Sequence, residues 1–144
     1  MKRLIATVGI SLALILSFYE AHSMWPELSQ MELIEQSSLI VTGSLIGRTA
    51  VTIEPEGGNL TLGVINIDTV LKGDQNQTVA LLMLPSPSGL ALASIIDYEV
   101  GQSGLWFLKL RTPQESGLYL ADHPQRFVPM AEAAGQIEAL KKIL

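Results

Sequence analysis

The residues able to do acid–base or covalent chemistry are few, and their spacing works against it. Beyond the first 23 positions there is one histidine, His123, set between Asp122 and Pro124. A Ser–His–Asp relay needs a carboxylate that reaches the imidazole and orients it. Asp122 is instead the immediate chain neighbour, and Asp122-His123-Pro124-Gln125 reads as a solvated turn. Gly101-Gln102-Ser103-Gly104 approaches the nucleophile-elbow pattern Gly-x-Ser-x-Gly, but position 105 is Leu. Glu54 with Glu56, and Asp97 with Glu99, are spaced for paired-carboxylate work. Both pairs flank turn residues, where a solvated acidic surface is the ordinary role, and no EF-hand spacing surrounds them. The chain has no cysteine, which excludes zinc–thiolate sites, redox pairs and a thiol nucleophile. Gly57-Gly58 lacks the spacing and the following Lys-Ser/Thr of a phosphate loop. No cofactor or metal is expected, and a hydrolase built on His123 is the weakest functional reading.

Recognition by aromatic stacking is the remaining local chemistry. Tyr98 and Trp106 are the candidates for a ligand-facing surface. Trp106 and Phe107 are adjacent in an apolar run, so in a strand they face opposite ways. Leu105 and Leu108 beside them indicate that both faces are covered, which favours core over ligand platform.

The first 23 residues carry the clearest signal. Met1-Lys2-Arg3 is a basic head, and Leu4 to Phe18 is apolar apart from small or hydroxyl residues. Ala21-His22-Ser23 puts small residues at the −3 and −1 positions of a cut before Met24. This layout is that of a secretory signal peptide. The apolar run, closed by Glu20, is shorter than the roughly 20 residues of a membrane span. The expectation is therefore residues 1–23 as a leader and 24–144 as one exported domain, periplasmic or extracellular, with no stable membrane insertion after cleavage. Of 9 basic and 14 acidic residues the leader holds Lys2, Arg3 and Glu20, leaving 7 basic and 13 acidic groups. Such a domain repels phosphate backbones, so nucleic acid is not an expected partner. Without disulfides, its core alone must suffice.

The elements that would position any site follow from periodicity. Leu28, Met31 and Ile34 predict a helix from about Pro26 to Gln36. Strands are expected over Ser38–Ile46, Leu60–Leu71, Thr78–Leu84, Leu105–Leu110 and Leu118–Leu120, with a short edge over Arg126–Pro129. Leu90–Ile96 fits a short helix or a strand equally. Ala133, Ile137, Leu140 and Leu144 give the apolar stripe of a closing helix from about Ala131 to Leu144. The expected fold is α+β, mainly β: a small antiparallel barrel flanked by an N-terminal and a C-terminal helix.

Four segments carry a family likeness: the helix running into Ser38-Leu39-Ile40-Val41-Thr42-Gly43-Ser44-Leu45, then Ile65-Asn66-Ile67-Asp68-Thr69-Val70-Leu71-Lys72-Gly73, then Tyr98 through Leu108, and the closing helix. Together they resemble bacterial exported domains similar to the netrin module and the tissue inhibitors of metalloproteinases. The resemblance implies an OB-type barrel and a protein partner, as in an inhibitor or accessory of an extracytoplasmic protein. Those inhibitors reach zinc through an N-terminal cysteine, and the segment after the leader here begins Met24-Trp25-Pro26. Zinc-directed inhibition therefore has no matching residue. The expected function is a non-catalytic interaction module, with a small-molecule or glycan binder using the barrel face as the alternative.

Overall fold

A computed structural model describes residues 25–53, 58–85, 96–114 and 117–144. The leader with Ala21, Ser23 and Met24, most of Leu90–Ile96, and the Glu54/Glu56 pair lie outside the described residues. No described helix is long and apolar enough to cross a membrane.

The order is α1 (Gln30–Gln36), β1 (Leu39–Ile53), β2 (Gly58–Lys72), β3 (Val79–Leu84), β4 (Ser103–Leu110), β5 (Leu118–Leu120), a 3₁₀ turn (Pro124–Arg126), β6 (Phe127–Pro129) and α2 (Met130–Ile143). Among the described residues the fold is mainly β with two α-helices, as the order of elements indicated. The strands hydrogen-bond in the order β1-β2-β3-β5-β4, and β4 pairs back onto β1, so five strands form a ring, though not a clean barrel. β6 lies beside Gly104 to Trp106 on β4.

The expectation of an antiparallel barrel is corrected at one seam. β3 and β5 run parallel, with Leu81 opposite Leu118 and Leu82 opposite Tyr119. The reason is parity. Directions cannot alternate all the way round a ring of five, so at least one neighbouring pair must be parallel. Here the parallel pair is β3–β5, which like β4–β5 spans only two residue positions.

Two apolar clusters sit on opposite sides of the β1–β4 pair, because strand residues alternate faces. Inside the ring, Leu39, Val41 and Leu45 of β1 meet Trp106 and Leu108 of β4, with Ile65, Leu82 and Tyr98. Outside it, Ile40, Leu105 and Phe107 meet Leu33 and Ile34 of α1 and Ala133 and Leu140 of α2. The opposite orientation expected for Trp106 and Phe107 is thus what is found, and both are fully buried. Gly43 lies opposite Gly104 in the β1–β4 register. A Cβ on Gly43 would run into the Asn66 carbonyl, and one on Gly104 into the Val128 carbonyl. Only glycine lets β1 approach β2, and β4 approach β6, that closely.

Several boundaries differ from expectation. α1 begins at Gln30, because Ser29 closes a capping box with Glu32. β1 runs on to Ile53, past a bulge at Ile46. Arg126 belongs to the 3₁₀ turn rather than to the edge strand.

Candidate interaction surface

The outward face of β1, β2 and β3 is apolar across several rows. Register places Val64 between Gly47 and Leu81, Leu62 between Thr49 and Met83, and Leu60 beside Val51. Inward positions of the same strands, Ile65, Ala80, Leu82 and Leu84, are buried. The outward ones are exposed or half-buried, with Val79 44%, Leu81 38%, Val51 39% and Ile46 57% exposed. The rows from Gly47 to Val51, Leu60 to Val64 and Leu81 to Met83 contain no charged residue on this outward side. A contiguous apolar surface of this kind marks an interaction site more often than scattered exposed hydrophobics do. The signal in the sequence is the apolar spacing by two of Leu60, Leu62 and Val64 and of Val79, Leu81 and Met83; the structure adds that the positions between them are the buried ones.

Tyr98 and Trp106, the expected ligand-facing pair, sit inside the ring instead. Trp106 donates its Nε1–H to the Gly43 carbonyl at 3.0 Å, and Tyr98 donates its hydroxyl to the Ala121 carbonyl at 2.9 Å. Their rings pack edge to face at 5.1 Å, and each packs on Phe127. With Trp106 fully buried and Tyr98 6% exposed, neither presents a ring face for stacking. Burial, with the Asp122 charge second and partly countered by Arg126, raises the Tyr98 hydroxyl far above the usual phenol range.

His123 is not a solvated turn residue, which corrects that expectation. It is 8% exposed, and both ring nitrogens are engaged. Nδ1 accepts the Gln125 N–H at 3.1 Å, capping the 3₁₀ turn, which leaves Nε2–H to donate to the Pro26 carbonyl at 2.8 Å. Gln125 then grips Leu28 twice, accepting its N–H at 2.7 Å and donating to its carbonyl at 2.8 Å. Trp25 packs edge-on against the His123 ring at 5.6 Å. The turn therefore straps the segment before α1 to the body of the molecule. The sequence places the first helical turn here; instead these residues precede the helix, and the backbones of Pro26 and Leu28 are held by His123 and Gln125.

Arg126 gave no signal in the sequence, yet it joins three elements. It is 1% exposed. Nη1 donates to the Phe107 carbonyl and the Ser37 hydroxyl, both at 3.2 Å, and Nη2 donates to Gln36 Oε1 at 3.0 Å. Nε lies 3.3 Å from Asp122 Oδ1 but is not aligned for a hydrogen bond. Asp122 also meets Lys109 at 2.9 Å. Burial lowers the Arg126 guanidinium from its usual value, and the Asp122 charge works in the opposite direction.

Of the acidic pairs, Asp97 accepts from Arg48 Nη1 at 3.1 and 3.2 Å and from the Tyr98 N–H at 2.8 Å, and Arg48 also donates to the Tyr98 carbonyl at 2.8 Å. The pair is open to solvent and contributes little to stability. Among the described residues, no three histidine or acidic side chains converge on a point where a metal could sit. Compared with family models, with characterised proteins and with solved structures, the chain matches none.

Proposed function

We propose that this chain is an exported, non-catalytic, OB-like binding module of the netrin and metalloproteinase-inhibitor kind, and that it engages a protein partner through the outward face of β1, β2 and β3. The observation that carries the reading is the uncharged apolar face formed by Leu60, Leu62, Val64, Leu81 and Met83 with Val51 and Val79. Protein interfaces have such a centre, depleted of charge and ringed by polar residues. The ring of five strands with a helix before and after it supports the OB-like assignment. The leader-like first 23 residues support export. Burial of Tyr98 and Trp106 removes the aromatic platform on which the glycan-binding alternative rested.

The test is cross-linking of the tagged full-length chain in intact cells of its own host, followed by mass spectrometry. The expected result is a stoichiometric protein partner and a mature chain starting at Met24. An intact leader would contradict export, and a chain recovered alone would contradict the interaction module.

A further inference from the structure

One edge of the same sheet is open. β4 pairs with β1 from Leu39 to Ser44, and Leu45 still exchanges backbone hydrogen bonds with Gly101 and Gln102. From Gly47 to Val51, β1 pairs with β2 and with no other described strand. Arg48, Thr49, Ala50 and Val51 are all exposed. Natural edges are blunted by charged side chains, proline, a bulge or extreme shortness. Here the bulge at Ile46 precedes the open stretch, which itself reads Gly-Arg-Thr-Ala-Val, has no proline, and holds one charge, Arg48, at the end paired to Asp97.

Charge indicates what fits. The single cation of the stretch, Arg48, is turned to Asp97 and to the Tyr98 carbonyl. The connector that ends the β4 pairing therefore stands at the Gly47 end of the open edge, and it carries Asp97 and Glu99, both exposed. A second copy of this chain is a poor occupant, since two chains of net charge −5 repel. Asp97 is already paired with Arg48, so a strand with a basic end placed beside that pair meets complementary charge at Glu99. Its outward side chains would continue the rows of Thr49–Leu62–Met83 and Val51–Leu60, so apolar or β-branched residues suit alternate positions.

We propose that the edge of β1 from Gly47 to Val51 receives an extended segment of the partner protein by strand addition, basic at the end that meets Glu99 and apolar at alternate positions beyond it. The inference rests on the protein-binding reading above and specifies how the partner is held.

The probe is a synthetic peptide, acetyl-Lys-Lys-Val-Thr-Val-Thr-Val-amide, added at millimolar concentration to the full chain. Backbone amide exchange is followed residue by residue. The expected result is slowed exchange at amides within Gly47–Val51, loss of that protection when the peptide valines are N-methylated, and binding weakened about tenfold when both lysines are glutamate. No protection at this edge would overturn the proposal, as would equal protection by the glutamate peptide. Protection that appears without peptide and grows with protein concentration would also overturn it, by showing that a second copy fills the edge. Because the readout is the backbone of β1, its failure is separable from failure of the outward face. A partner lost on charging Val79 and Leu81, with the β1 edge unprotected by peptide, would leave the protein-binding reading standing without strand addition.

Discussion

Arg126 shows how a single polar side chain ties this fold together. Its guanidinium satisfies a β4 carbonyl and two side-chain oxygens at the end of α1 from a position almost without solvent. Replacing it by methionine keeps much of the volume but leaves the Phe107 carbonyl and the Gln36 amide oxygen without this donor. Arg126→Met should destabilise the domain by roughly 2–4 kcal/mol, because buried acceptors would lose their partner. Urea unfolding followed by circular dichroism measures this. An unchanged midpoint would mean that water replaces the guanidinium at no cost. The residue scale is also where the sequence was least legible. Trp106 and Phe107 could be placed because alternation along a strand is a local rule. His123 and Arg126 could not, since their partners stand 97 and up to 90 positions away. A polar residue in a turn reads as solvated unless those long-range partners are known.

At the scale of elements, local chemistry sets the boundaries. Ser29 starts α1, with its hydroxyl accepting from the Glu32 N–H at 3.2 Å and its own N–H donating to the Glu32 carboxylate at 2.7 Å. Ser29→Ala should cost about 1 kcal/mol in the same unfolding experiment. The donated hydrogen bonds, the backbone N–H of Ser29 first and its hydroxyl second, hold the Glu32 carboxyl below its ordinary value of 4.5. A depressed folded value means that this contribution is present above pH 4.5 and is lost as pH falls through the lower folded value. The Ser29 amide should therefore exchange faster with hydrogen isotope in that acid window, after correction for intrinsic rates. Glu32→Gln should keep the acceptor and lose the pH step; if the step persists, another group controls it. The Ser-x-x-Glu signature was present in the sequence, but Pro26-Glu27 placed the helix start earlier. What could not be read locally was the strap, in which Gln125 and His123 claim the backbone of Pro26 and Leu28. Strand positions were legible wherever apolar residues ran densely. The extension of β1 beyond Ile46 was not, because Gly47 to Thr52 alternate weakly and depend on pairing with β2.

At the scale of the whole molecule, the ring and its two flanking helices divide the surface. The helices cover the outside of β1 and β4 where Ile40, Leu105 and Phe107 emerge. The helices' cluster takes in Leu71 near the end of β2 and no described residue of β3, and the outward rows of Leu60–Val64 and Val79–Met83 remain exposed or half-buried. The α+β class was readable from the order of elements. The parallel seam was a consequence of closing five strands, which periodicity along one chain does not reveal. The role of that outward face is tested by partner recovery with the double variant Val79→Lys/Leu81→Lys in intact cells. Both positions are already exposed, so stability should stay within about 1 kcal/mol of the parent chain. The expected outcome is a normally folded variant that no longer cross-links the partner recovered with the unaltered chain. Undiminished recovery with the variant would contradict that role.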